Sequence, residues 1–186
     1  MGDPLTFVVT LVLRVGALLF LLRFVLQVVH ASFYNPFSEG IVRLTNPVLN
    51  PLRQVLRPYR NLDFAAFLMA WVLHMIAATV YIFSAGLPIE VLAVVTDGLR
   101  ATLSLVVGIF LVAIFVSIIM SWIAPSVYSP AAIIARELAE PLLAPARRIL
   151  PALGGIDLSP MITIVVLMLI QSYAINAVLP CQLWCG

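Results

Sequence analysis

Four stretches of the chain stay apolar without a long interruption: Leu5 to Val29, Phe64 to Phe83, Ala101 to Ile123 and Met161 to Leu179. Each approaches or exceeds the ~20 residues needed to cross a hydrocarbon core about 30 Å thick, and each is too long for a buried strand. They predict an all-α integral membrane protein with four transmembrane helices. Two long connections separate them, His30 to Asp63 and Ala124 to Asp157, where apolar and charged residues interleave. In the second, Ile133, Ile134, Leu138, Leu142, Ile149 and Leu150 alternate with Arg136, Glu137, Glu140, Arg147 and Arg148 at roughly helical spacing. That pattern predicts amphipathic interfacial helices in the headgroup plane. Pro141 and Pro145 predict a break, with one helix ending near Ala139 and another starting at Pro145; Pro47 and Pro51 predict the same break in the first connection. A shorter apolar run, Leu87 to Val95, is bounded by Pro88 and by Asp97-Gly98. It reads as an interfacial turn or as an extension of the third span, too short to cross alone.

The chain matches itself at a shift of 94 residues. Ser32, Tyr34, Pro36, Leu44, Pro47, Leu49, Pro51, Arg53, Leu56 and Asp63 fall on Ser126, Tyr128, Pro130, Leu138, Pro141, Leu143, Pro145, Arg147, Leu150 and Asp157. Only three of these ten are leucine pairs, which so apolar a chain supplies by chance. The match therefore reads as two parallel repeats, residues 1–94 and 95–186, each made of span, connection, span. Asp63 and Asp157 immediately precede the second span of each repeat and are placed to cap its free amides. Gly154-Gly155 supplies the turn before Asp157.

Composition and charge narrow the picture further. Of 186 residues, 63% are apolar and 10% are charged, against about 45–50% and about 25% in soluble domains. This excludes a water-soluble globule, a disordered chain and a nucleic-acid binder with a basic face. All ten basic residues are arginine. Arg43, Arg53, Arg57 and Arg60 lie in the first connection and Arg136, Arg147 and Arg148 in the second, whereas Ser84 to Arg100 holds only Arg100 and neither terminus holds any. That asymmetry places both connections in the cytoplasm and both termini outside. Arg14 and Arg23 inside the first apolar run argue against a cleaved signal peptide.

The connections resemble the signature of the YggT (YlmG-like) family. The residues that carry the resemblance are Glu140-Pro141-Leu142-Leu143-Ala144-Pro145-Ala146-Arg147-Arg148-Ile149-Leu150-Pro151, then Gly154-Gly155-Ile156-Asp157-Leu158-Ser159-Pro160-Met161. Phe33-Tyr34-Asn35-Pro36-Phe37, Asn46-Pro47 and Pro51-Leu52-Arg53 carry it in the first connection. The first repeat departs from the pattern, with Arg60-Asn61 for Gly154-Gly155 and Ala66 for Pro160. The resemblance implies a small, multi-pass protein of the bacterial inner membrane without an agreed biochemical activity. Relatives have been linked to osmotic or ion homeostasis, to the division site, and in plastids to nucleoid distribution and cytochrome assembly. It implies no catalytic or ligand residue.

Candidate chemistry is sparse. Arg14 in the first span, His74 in the second and Gln171 in the fourth all sit about 12–14 Å below the outer ends of their helices. They are placed to form one intramembrane polar cluster, either an ion path or a packing device. An arginine at a helix centre costs about 2.5–3.5 kcal/mol on the insertion scale, so Arg14 needs a reason. Arg23, half a turn away from Arg14, reads as snorkelling to the cytoplasmic interface. Ala66, Ala70, His74 and Ala78, and Ala113, Ser117 and Ser121, recur every four residues and read as close helix-packing rows. Arg53, Arg57, Arg147 and Arg148 form the candidate lipid or partner surface. Pro47, Pro51, Asp63, Pro141, Pro145, Gly154, Gly155 and Asp157 read as the structural motif of the repeat. Cys181 and Cys185 lie beyond the fourth span on the outer side, where a disulfide is permitted, but their spacing alone is weak evidence. With only His30 and His74 besides, no metal set of usual spacing appears. No cofactor is expected.

Two functions compete. One is a non-enzymatic scaffold or assembly factor, presenting the connections to membrane lipids or a membrane protein partner. The other is a small channel or transport-related protein built on the Arg14, His74 and Gln171 cluster, which requires a homo-oligomer. An enzyme finds no support. There is no nucleophile elbow or phosphate loop, and the eight acidic residues read as lying outside the spans.

Overall fold

The computed structural model describes residues 3–32, 35–56, 62–123, 129–149, 157–176 and 179. Arg57, Gly154, Gly155, Cys181 and Cys185 lie outside the described residues. Among the described residues, six α-helices follow in order: α1 (Pro4–Val28), α2 (Pro36–Val55), α3 (Phe64–Ser84), α4 (Val91–Ile123), α5 (Pro130–Ile149) and α6 (Ser159–Leu169), the last continuing as a π-helical stretch over Ile170–Asn176. Pro4–Val28, Phe64–Ser84, Val91–Trp122 and Ser159–Asn176 are each long and apolar enough to cross a membrane. The protein is all-α and multi-pass.

The ends of these helices follow from local chemistry. Pro4 and Pro36 stand at first-turn positions, where the missing amide costs nothing. The Asn35 carboxamide oxygen accepts from the Phe37 amide at 2.9 Å and caps α2; the Ser129 hydroxyl accepts from the Ala132 amide at 3.1 Å and caps α5. After α1, the amide of Ala31 reaches back to the Leu26 carbonyl across His30, whose φ is +57°. After α3, the amide of Leu87 reaches the Ile82 carbonyl across Gly86, at φ +66°. Both are left-handed terminations that satisfy otherwise orphaned carbonyls.

Two expectations are corrected. The prolines do not break the connections: α2 runs through Pro47 and Pro51, and α5 through Pro141 and Pro145. All four prolines are exposed. A proline frees the carbonyl four residues earlier, on the same face of the helix. Spacing the pair by four places both freed carbonyls on the same exposed side of the helix. The other correction, of Asp97, follows from Leu87 to Val95, where the extension of the third span holds for the second half. Residues 87–90 are non-helical, but Val91 to Val95 begin α4, which at 33 residues is about 50 Å long. The boundary between residues 94 and 95 thus falls inside a helix. Asp97, expected outside the spans, lies within one and is buried.

One apolar core joins Leu21, Val25 and Leu26 of α1 to Ala65, Ala66 and Ala70 of α3, to Ile109 and Ala113 of α4, and to Ile41, Leu49, Ile134 and Leu138 of the connections. A second joins Ile114 of α4 to Leu143 of α5 and Leu167 of α6. Small residues let these backbones approach. Ala66, Ala70, His74 and Ala78 are all buried along one face of α3; on α4, Ala113 is buried and Ser121 exposed. Gly98 is the tightest point. A Cβ there would stand 2.7 Å from Met75 Cγ and 3.3 Å from both Met75 N and Trp71 Cδ1. The Trp71 indole also donates to the Val95 carbonyl at 3.2 Å. Asp97-Gly98 therefore marks a helix crossing, not a turn.

Replacing Gly98 by Val should lower the melting temperature in detergent, with an overpacking cost of about 1–3 kcal/mol. Gly108→Ala, where nothing lies within 4 Å of the added Cβ, should be neutral or stabilising by up to about 1 kcal/mol. Equal effects of the two would refute the close contact.

Candidate functional site

Three charged side chains meet where α1, α2 and α3 come together. Asp63, at the start of α3, is fully buried, and its Oδ2 accepts a charge-assisted hydrogen bond from Arg53 Nη2 of α2. Arg23 Nε of α1 lies 3.7 Å from the same oxygen. The Arg23 guanidinium also donates to the Thr45 hydroxyl at 2.9 Å and to the Val42 carbonyl at 3.1 Å. Arg23 is 7% exposed. It does not snorkel to the interface: it is turned inward, bridging α1 to the first connection. Nor does Asp63 cap α3 with its side chain: Oδ2 faces the two guanidiniums, and the buried Oδ1 has no hydrogen-bond partner among the described residues. Arg53, expected at a lipid-facing surface, is engaged in this cluster.

The corresponding residues of the second connection, 94 positions on, meet in a more open form. Arg147 Nε donates to Asp157 Oδ2 at 3.0 Å, and Arg147 Nη1 donates to both Glu140 oxygens at 2.9 Å. Asp157 Oδ1 accepts from the Ser159 amide at 2.9 Å, so this carboxylate does tie down the start of its helix. Side chains 147 and 157 are each 43% exposed, against 0% for Asp63. Ser159, first of all, and then Arg147 hold the Asp157 carboxyl below the usual carboxylate range, against the opposing effect of burial. Burial works to lower the Arg147 pKa, but its two carboxylate partners outweigh it and raise it. Among the candidate surface arginines, Arg148 is exposed, as are Arg43 and Arg136.

A second polar site lies within the spans. A cavity of about 490 Å³ is lined by Arg14, His74, Asp97, Arg100 and Ser104, among apolar neighbours. Arg14 and His74 thus share one wall, as their depths suggested. Gln171 reaches the cavity's edge from the π-helical stretch, donating to Ser104 Oγ at 2.8 Å. Asn176 of that stretch accepts from Arg100 at 3.3 Å. His74 is fastened to α4. Its Nδ1 lies 2.9 Å from Thr102 Oγ1, and that hydroxyl donates to the Gly98 carbonyl at 2.8 Å. Thr102 thereby links the His74 ring to the backbone of α4. Asp97, Arg100, Thr102 and Ser104 were missed from the sequence, because Asp97-Gly98 reads as bounding an apolar run outside the third span. The available signal was the absence of any proline between Val91 and Ile123. Among the described residues, no group of three or more His, Cys, Asp or Glu is arranged to hold a metal ion.

With this geometry in view, the comparisons with known proteins decide the family. The family model described as CCB3/YggT matches residues 2–83 and again residues 96–178. The chain belongs to this family. It is 39% identical over 170 residues to the uncharacterized protein YggT of Escherichia coli, covering 91% of this chain and 88% of the relative. An uncharacterized protein of Pseudomonas aeruginosa is 38% identical over 161 residues, covering 86% of this chain and 82% of its own length. One from Haemophilus influenzae is 34% identical over 172 residues, covering 89% of this chain and 88% of its own. No solved structure matches.

Asp63→Asn should destabilise by about 3–5 kcal/mol, the range for breaking a buried ion pair. Asp157→Asn should cost about 1 kcal/mol or less, as for exposed pairs. Thermal unfolding in detergent at neutral pH reads both, and the reverse order would contradict the burial difference. A depressed carboxyl stabilises above its ordinary value of 3.8 and loses that contribution as pH falls through the folded value. The gap between wild type and D157N should therefore close in acid.

Proposed function

We propose that this chain is a non-enzymatic protein of the bacterial inner membrane that acts as a scaffold or assembly factor. It holds two amphipathic connections at the cytoplasmic surface for anionic lipid or a membrane protein partner. The observation that carries this reading is the fastening of the two connections to each other. Asn35 Nδ2 before α2 donates to the Pro130 carbonyl of α5 at 2.8 Å, and Glu137 Oε2 of α5 accepts from the Ser32 amide at 3.0 Å. Helices that only floated in the headgroup region would not need these cross-links. The assembled surface shows Arg43, Arg136 and Arg148 beside apolar Phe37, Leu44, Val48, Val55 and Ile149. Apolar residues that dip into the bilayer and arginines that meet phosphate suit an interfacial element. The seven arginines of the connections, against none between α3 and α4, favour a cytoplasmic location, with both termini outside. The parallel two-repeat organisation is part of this reading, supported by the double match of the family model. So is a role in osmotic or ion homeostasis or in division-associated organisation, which rests on the family resemblance. Nucleic acid is not a direct partner on this reading.

In-cell crosslinking from the exposed face of α2 and α5 should capture a reproducible membrane protein. The triple variant Arg43→Glu, Arg136→Glu, Arg148→Glu should lose it while remaining folded and membrane-inserted. Recovery of lipid alone from both proteins would remove the scaffold role.

The open cavity bearing Arg14, His74, Asp97 and Arg100 favours a second reading, a small oligomeric channel or transport-related protein. Four spans rarely enclose a pore alone, so this reading needs several copies of the chain. Purified protein in liposomes would then pass ions under an osmotic gradient, and Arg14→Leu would abolish the flux. No flux from the wild type across a range of gradients excludes this reading.

A further inference from the structure

The polar cavity does not end at its charged residues. A second cavity of about 500 Å³ lies between α1, α4 and α5, and every side chain on its wall is apolar. Leu18 and Leu105 line both cavities, so the two adjoin along α1 and α4, and together they form a groove. Each half falls in the size range of small-molecule sites, about 300–1,000 Å³. From Leu105 to Val116 the α4 wall of the apolar half runs about 16 Å by helical rise.

Polarity is sorted along this groove. Arg14, His74, Asp97 and Arg100 occupy one end, and hydrocarbon alone lines the other. Among its lining residues the charged end holds two guanidiniums and one carboxylate. Arg100 Nε is buried without a hydrogen-bond partner among the described residues, and stands 3.9 Å from the Asp97 carboxylate. Excess cationic charge at membrane depth is costly. An anionic oxygen entering this end would offset it with charge-assisted hydrogen bonds.

We propose that the groove binds an anionic membrane phospholipid. Its phosphate meets Arg14 and Arg100, and one acyl chain lies along Gly108, Val112 and Val116. Charge selects the lipid over a second copy of this chain. The described spans carry Arg14, Arg23 and Arg100 but a single acid, Asp97, which is itself buried, so a second copy has no exposed intramembrane acid to offer. The apolar cavity is bordered by Phe37 of α2 and by Ile134 and Leu138 of α5, but its test does not depend on partner capture.

The test is native mass spectrometry of the full chain in a neutral detergent. The protein is supplied with phosphatidylglycerol or phosphatidylcholine carrying identical acyl chains. Wild type should retain phosphatidylglycerol at least tenfold more. The double variant Arg14→Gln, Arg100→Gln should lose that preference. Gly108→Phe, at a position open beyond 4 Å from the added Cβ, should cut phosphatidylglycerol retention at least tenfold while leaving the lipid-free melting temperature unchanged. It keeps the proposal falsifiable if the arginine variant fails to fold. Equal retention of the two lipids by wild type overturns the proposal. So does undiminished retention in a folded Gly108→Phe, including the case where that variant loses self-association instead.

Discussion

A carboxylate removed from water must find cations or lose its charge, and Asp63 finds two. It is fully buried at the start of α3, bonded to Arg53 and within 3.7 Å of Arg23. The desolvation cost of the three ions is several kcal/mol each and is offset only by their mutual attraction and added hydrogen bonds. The cluster is therefore less a source of net stability than a constraint on arrangement. With α1, α2 and α3 joined at one point, none can shift without exposing an unpaired buried charge. The lie of α2 against the spans depends on this, and so does the cross-linked α2 and α5 surface.

The counterpart at Arg147 and Asp157 shows what burial adds. The arginine, the aspartate and their separation are the same, but the position equivalent to Arg23 is Ser117 and that equivalent to Thr45 is Ala139. Without a second guanidinium, Asp157 turns one oxygen to the Ser159 amide and remains 43% exposed. One junction is a buried three-ion joint and the other an exposed pair strengthened by Glu140. If either connection moves when a partner binds, the second is the weaker joint.

Charge inside the spans follows the same electrostatics with a different outcome. Arg23 is consumed by structure. Arg14, Asp97 and Arg100 line a cavity that adjoins an apolar one at Leu18 and Leu105. Fastening His74 to Thr102, and Gln171 to Ser104, holds the cavity wall in place through α3, α4 and the π-helical stretch. Such stretches often accompany functional sites, because one widened turn redirects the side chains it carries.

Much of this molecule was legible in its sequence, for a definite reason. A lipid solvent forces backbone polar groups to bond within a segment, so apolar length alone determined four spanning helices. The repeated arginine, aspartate and proline pattern of the connections pointed to the family. Depth counting placed Arg14 and His74 at one level, since helical rise is nearly constant. Four matters needed the tertiary structure. Whether the connection prolines break a helix depends on which face packs against the rest of the protein. Whether Arg23 reaches outward or inward depends on where Asp63 lies, 40 residues along the chain. Whether Asp97-Gly98 is a turn or a crossing depends on the approach of Met75 and Trp71. And the groove exists only because α1 and α4 leave room between them. Each is a question of which surfaces come together, which sequence periodicity does not record.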